Sequence, residues 1–242
     1  MNICGINIDK ISYDETLDII DNSIKNKNFI SISNPNFYII NSSCKDQALR
    51  ATINNMSIRL SDGIGVYLAS KFLYGKSGLD SITKGTDLYN KILVYANENN
   101  LKMLFYGGDI KTPELLSNIL NKHFPHIKIN GIFSRFENKN LVIEQILKTK
   151  PDIVFIGLGT PIQENFISVN FDSLNVPVFI SVGSGLDFIS GYMKRAPKWM
   201  LKLQLEWLHR LLHEPARLWK RYIIGLPLFF CRVIRFKFSR KS

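Results

Sequence analysis

Several nucleotide and metal signatures are missing from this chain. No Gly-x-Gly-x-x-Gly follows an apolar strand, which argues against a nicotinamide-dinucleotide site. No Gly-x-x-x-x-Gly-Lys-Ser/Thr occurs, which argues against a P-loop NTPase. Asp-x-Asp is absent as well, so no dedicated carboxylate pair offers itself to Mg²⁺ or Mn²⁺. Cysteine is scarce: Cys4, Cys44 and Cys231 are odd in number and scattered, giving neither a disulfide framework nor zinc spacing, and they read as thiols in a reducing compartment. No apolar run approaches the roughly 20 residues of a membrane span. Met1 to Lys10 lacks a basic flank followed by an apolar run, so no signal peptide is expected.

Acidic residues are scarce in one place only. Residues 1–193 balance 18 Lys+Arg against 18 Asp+Glu, whereas residues 194–242 carry 13 Lys+Arg against Glu206 and Glu214 alone. The net charge of +11 therefore belongs to the last 49 residues. A neutral body with a cationic tail predicts an anionic partner: membrane lipid, nucleic acid or substrate phosphate. The recognition helix or stacking platforms that nucleic-acid binding would need are not evident.

With 45% hydrophobic residues among 242, the chain can bury one sizeable core. Short apolar runs at 29–33, 57–60, 102–106, 127–132, 152–156 and 177–182 read as strands. Helical periodicity is expected at 9–27, at 37–56 in two pieces, and at 66–73, 86–99, 113–123, 140–150 and 163–171. Continuous apolar strands alternating with helices predict an α/β, Rossmann-like, mostly parallel sheet with helices on both faces. This body spans 1–193, and a helical basic appendage spans 194–242. In the appendage, 198–213 reads as one amphipathic helix interrupted by Glu214-Pro215. The charge-free run from Tyr222 to Phe230, flanked by Lys and Arg, reads as an interfacial segment. Such an apolar tail also predicts self-association where no membrane is present.

The strands end in glycine-rich turns, at the sheet edge where open α/β folds bind ligands. Gly-x-Gly by itself also serves ordinary tight turns. Asp62, in Ser61-Asp62-Gly63-Ile64-Gly65, falls at a strand-to-helix turn. A carboxylate there is either a helix cap or a base facing the cleft. His209 and His213, at i and i+4, have no third ligand in the sequence, and no metal site is expected.

The residues at these turns resemble the WecG/TagA/CpsF glycosyltransferases of bacterial surface polysaccharide and teichoic acid synthesis. The resemblance runs through Asn34-Pro35-Asn36, Asp62-Gly63-Ile64-Gly65, Gly85-Thr86-Asp87-Leu88, Tyr106-Gly107-Gly108, 157–164 and 183–188. It closes on Gly191-Tyr192-Met193-Lys194-Arg195-Ala196-Pro197 and on 206–217, the two most specific blocks. It implies transfer of N-acetylmannosamine or a related sugar from a UDP donor to an undecaprenyl-diphosphate-linked sugar, with inversion and without metal or cofactor. Asp62 would be the general base, and Asn34 and Asn36 would meet sugar hydroxyls. Gln163 would hold the donor sugar or diphosphate, and Asp187 the nucleotide. Arg210, Arg217 and Arg221 would neutralise the leaving UDP. The appendage would bring the enzyme to the anionic inner face of the cell membrane from the cytoplasm. The chain departs from the family pattern twice: Asn34 stands where the family has Thr, and Lys84 is the only cation just before Gly85, where the family has an arginine. A scaffold that binds UDP-sugar without turnover is the alternative reading. Arg195 is expected to pair with Asp187 or Glu206.

Overall fold

The chain opens on a small hairpin, β1 (Asn2–Ile3) and β2 (Ile6–Asn7), turned at Cys4-Gly5 with both residues at positive φ. This hairpin carries no periodic signature in the sequence, because two-residue strands are too short to show a period. The structure, a computed structural model, describes residues 1–239, so the last three residues of the expected appendage lie outside the described residues. Helix α1 (Tyr13–Asn26) starts four residues later than the expected Asp9. Ser12 caps it in a reciprocal box with Glu15. Asp9 is diverted to Arg59, whose guanidinium it meets at 2.9 Å.

All six expected strands form, as β3 (Ile30–Ser33), β4 (Ile58–Arg59), β5 (Lys102–Gly107), β6 (Lys128–Phe133), β7 (Ile153–Gly157) and β8 (Val178–Ser181). They build one sheet in the order β4-β3-β8-β7-β5-β6, every pair parallel. Between the strands lie α2 (Phe37–Ser43), α3 (Gln47–Asn55), α4 (Ile64–Tyr74), α5 (Gly85–Glu98), α6 (Thr112–His123), α7 (Lys139–Thr149) and α8 (Ile162–Leu174). Alternation along β5 explains the two-sided covering. Met103 and Phe105 join α1, α5 and α6 in one core, while Leu104 and Tyr106 join α7 and α8 in another.

After the short α9 (Gly185–Ile189) the tail runs through α10 (Lys198–Lys202), α11 (Glu206–His213), α12 (Pro215–Trp219), a π-turn at Lys220–Ile224 and α13 (Gly225–Ser239). The single helix expected over 198–213 is two helices. Gln204 takes φ 59° between them, and neither glycine nor proline marks the break. Pro215 does begin a new helix, at its first turn, where its missing N–H costs nothing. The charge-free run divides by face: Tyr222 and Phe229 are buried, while Ile223, Ile224 and Leu228 are exposed. Leu218, Tyr222, Phe229 and Val233 share a third core with Ile3, Phe37, Ile40 and Val66. Each such buried side chain contributes about 1.5–3 kcal/mol. Asn41 ties the same interface, donating to Gly225 O at 2.6 Å and accepting from Arg232 at 2.9 Å.

The chain leaves β3 outward to β4, yet β3's other neighbour is β8. This reversal opens a crevice beyond the carboxyl ends of these strands. The tail folds over that crevice.

Candidate active site

Asp62 follows β4 on a loop pinned from both sides. Its N–H donates to Pro35 O at 3.1 Å, and the Gly63 N–H donates to Thr83 O at 2.9 Å. Gly63 holds φ 82°, a conformation that side-chain-bearing residues rarely adopt, and this lets the loop turn directly into α4. Asp62 does not cap α4: Gly63 is the N-cap position and no side chain bonds there. Asp62 Oδ1 instead accepts from Gly85 N at 3.0 Å, at the start of α5. Burial pushes the Asp62 carboxyl above the ordinary aspartate range. The Gly85 amide, the Arg221 and Arg210 charges and the Asn36 amide oppose this in part.

Two cavities of about 320 and 310 Å³ meet at Asp62, and Asn36, Tyr89, Val182, Ser184, Arg210 and Arg221 line both. The smaller lobe is polar and adds Asn34, Thr160, Gln163, Gly183 and Arg217. The larger is mostly apolar, with Phe37, Leu68, Phe188, Trp207, Leu226 and Phe230, and adds Lys84 and Glu206.

The predicted residues divide between these surroundings. Asn34 is buried and donates to Tyr89 Oη at 3.2 Å and Ser181 O at 3.4 Å. Asn36 caps α2, its Oδ1 accepting from Tyr38 N and Ile39 N, each at 3.1 Å. Gln163 is held at both ends of its amide: Oε1 accepts from Gly183 N at 3.0 Å, and Nε2 donates to Glu164 Oε1 at 2.8 Å. Glu164 is itself buried. Its carboxyl is raised by burial, and its Oε2 has no partner. Asp187 lies outside both linings. Its Oδ1 accepts from Asp109 N at 2.9 Å and Thr112 Oγ1 at 2.6 Å, beside Gly108.

The tail supplies the cations. Arg210 donates to Ser184 Oγ at 3.2 Å and lies 5.2 Å from the Phe188 ring. Arg221, on the π-turn, lies over Tyr38, Tyr222 and Phe37 at 4.7, 5.6 and 5.7 Å. The Nε groups of both arginines are buried without a partner. Both residues also line the two cavities. Arg217 lines the polar lobe while its guanidinium meets Glu214 at 2.6 Å.

Arg195 pairs with Asp87 at 2.6 Å and lies 4.0 Å from Glu206. The expected Asp187 pairing does not occur, because the Asp187 carboxylate is engaged by the 109–112 turn. His209 and His213 stack ring on ring at 4.0 Å. Among the described residues no three His, Cys, Asp or Glu side chains cluster as metal ligands.

Two site residues escaped the sequence reading. Tyr89 sits at the junction of the lobes, and a Cβ on Gly85 would come within 2.7 Å of its hydroxyl. Glu206 is a second carboxylate of the apolar lobe. Burial raises its pKa and the Asp62 charge adds to the shift, against Arg195, Lys84 and Arg210. Its sequence context gives no cue beyond its place in the 206–217 block.

Comparison with known proteins agrees in length and kind. The model of the glycosyl transferase WecG/TagA/CpsF family matches residues 1–242. An N-acetylglucosaminyldiphosphoundecaprenol N-acetyl-beta-D-mannosaminyltransferase of Bacillus subtilis (strain 168) is 32% identical over 212 residues, covering 87% of this chain and 81% of the relative. The protein of that name from Bacillus spizizenii is 33% identical over 186 residues, 76% of this chain and 71% of its own. The one from Staphylococcus aureus (strain MW2) is 29% identical over 244 residues, 98% and 93%.

Proposed function

The chain belongs to the WecG/TagA/CpsF family of glycosyltransferases, and on that premise we propose that it moves N-acetylmannosamine or a closely related sugar from UDP to a sugar carried on undecaprenyl diphosphate, in teichoic acid or surface polysaccharide synthesis. The donor enters the polar lobe, and the acceptor sugar approaches from the apolar one. The acceptor hydroxyl oxygen attacks the anomeric carbon, its proton passes to the Asp62 carboxylate, and the bond from that carbon to the UDP oxygen breaks. One displacement on the face opposite the leaving group inverts the configuration. Positive charge for the departing diphosphate comes from Arg210, Arg217 and Arg221, whose planar forks suit phosphate oxygens without a metal ion.

The observation that supports this reading is the convergence of Asp62, Arg210 and Arg221 on the lining of both joined cavities. Gln163, already fixed by Gly183 and Glu164, keeps one amide N–H for the donor. Asp187 acts by holding the Asp109–Thr112 turn where the nucleotide would lie. The exposed face of the tail, with Trp219, Ile223, Ile224 and Leu228 among arginines and lysines, suits the surface of an anionic membrane. Among the described residues no helix is long and apolar enough to cross one.

The test is UDP release from UDP-N-acetylmannosamine with a lipid-diphosphate N-acetylglucosamine acceptor, in detergent with EDTA, beside Asp62→Asn. Turnover that survives EDTA and collapses in the variant supports the reading. UDP binding without turnover across a panel of UDP-sugars would instead support a noncatalytic scaffold.

A further inference from the structure

The larger lobe has a feature that sugar chemistry alone does not require. Its far wall is a seam between α4 and α13. Leu226 lies close to Gly65 at one end of the seam, within 3.6 Å of where a Cβ would stand. Lys237 closes the other end, donating to Phe72 O at 2.7 Å with its ammonium 4.0 Å from the Phe72 ring. From Gly65 to Phe72 the seam runs about 10 Å along α4. Leu68 and Phe72 remain 47% and 43% exposed along it, although α13 is packed beside them. At the inner end the seam opens into the cavity beside Phe37, Trp207 and Phe230, and that cavity contains Asp62. Lys84, whose ammonium donates to Leu201 O at 3.2 Å, is a cation of this same lobe.

We propose that the seam between α4 and α13 is the seat of the acceptor's first isoprene units, leading the polyprenyl chain from the catalytic cavity to the membrane-facing side of α13. This rests on the reading of the acceptor as lipid-linked. A protein that keeps an apolar trough open to solvent beside a catalytic carboxylate has kept it for a ligand. The trough's chemistry selects the occupant. The described residues along it, Gly65, Leu68 and Phe72 on α4 and Leu226 and Phe230 on α13, are apolar. Its inner end meets cations suited to a diphosphate, and its outer end meets Lys237, whose ammonium lies over the Phe72 ring. A sugar held at Asp62, a diphosphate near Lys84 and a hydrocarbon chain between α4 and α13 follow one another in the order in which the acceptor carries them.

Two acceptors that differ only in the lipid test this: N-acetylglucosamine diphosphate on a long polyprenyl chain, and the same sugar diphosphate on a short alkyl group. The wild type should prefer the long chain by at least tenfold in KM, and in Leu68→Gln that ratio should shrink below threefold. Because a substitution at the seam can disturb packing, a second measurement uses the unaltered protein. A short isoprenoid diphosphate carrying a photoreactive group on its second unit should label peptides containing residues 64–74 or 225–237. Equal KM for the two acceptors in the wild type overturns the inference and leaves the transferase reading standing, as does labelling elsewhere. Failure of the wild type to turn over either acceptor defeats both.

Discussion

Arg221 is expected to be costly to the resting protein and indispensable to the reaction, and the two halves of that statement can be measured separately. Its guanidinium is largely buried, its Nε has no partner, and among the described residues no carboxylate lies within ion-pair distance. Burial lowers its pKa, and the Asp62 charge restores part of the shift. Three ring faces at 4.7–5.7 Å contribute about 0.5–1 kcal/mol each. Removing an arginine charge from water without a partner costs several kcal/mol even after relaxation. The rings and the Asp62 charge together offset only part of that cost. Methionine matches the stem and adapts to aromatic neighbours. Arg221→Met should raise the stability of the ligand-free protein by about 1–2 kcal/mol, or about 2–8 °C in Tm for a chain of this size. The same change should lower kcat by about 10²–10³-fold, the cost of losing one donor to developing charge. Thermal unfolding with and without UDP, beside UDP release, reads both. At 100 times its Kd, UDP stabilises the wild type by about 2.7 kcal/mol, and a tenfold weaker Kd reduces that to about 1.4. A ligand-free variant that melts several degrees lower while keeping the full UDP shift would refute the reasoning and make Arg221 a packing residue.

The other expectations concern separate parts of the site. Asp62→Asn keeps the acceptor oxygen for Gly85 N–H, so donor KM should hold while kcat falls about 10²–10⁴-fold. In the wild type kcat/KM should fall on the acid side through a pKa above the ordinary aspartate range, and the variant should lack that limb. Because the folded-state pKa is raised, the protonated form is the better tolerated one. The stability it confers is present at low pH and lost as pH rises through that pKa, so Asp62→Asn should gain stability over the wild type as pH increases. Gln163→Ala leaves the Gly183 N–H without its side-chain acceptor, about 1–3 kcal/mol, while Glu164 Oε1 keeps Thr160 Oγ1, so it should lower Tm by a few degrees as well as weaken UDP-sugar binding in a titration. Ile224→Asp with Leu228→Asp, on the outer face of the tail, should reduce sedimentation with anionic vesicles at least tenfold while the UDP-induced Tm shift persists.

How far the sequence discloses this molecule follows from the range of the interactions involved. The strands were legible because a parallel sheet covered on both faces demands continuous apolar runs, as in Met103 to Tyr106 and Ile153 to Ile156. Asp62, Gln163, Arg210 and Arg221 were legible from motif order, and the fold brings all four to the two joined cavities. What was hidden depends on distant partners or on a single backbone angle. Asp9 looks like the start of a helix until Arg59 claims it. Trp199, Leu203, Trp207 and Leu211 keep helical spacing through Gln204, so the periodicity conceals the break. Arg195 finds Asp87 rather than Asp187, a choice made by the 109–112 turn and not by proximity in the sequence.

The placement of the cations has a consequence for how the enzyme is assembled. Asp62 and Asn36 sit on loops of the sheet edge and Gln163 in the first turn of α8, whereas Arg210, Arg217 and Arg221 all come from helices after residue 205. The proposed base and the proposed leaving-group cations therefore share one cavity through the docking of the tail at Leu218, Tyr222, Phe229 and Val233. The Asp87–Arg195–Glu206 chain ties the start of α5 to α11 and so fixes the Gly85 amide that Asp62 accepts from relative to the tail. The same helices carry the exposed apolar face of Trp219, Ile223, Ile224 and Leu228. Docking of the tail and completion of the cavity lining are then parts of one packing arrangement, so on the proposed reading a substitution that loosens α13 should weaken UDP binding even when it lies far from the cavity.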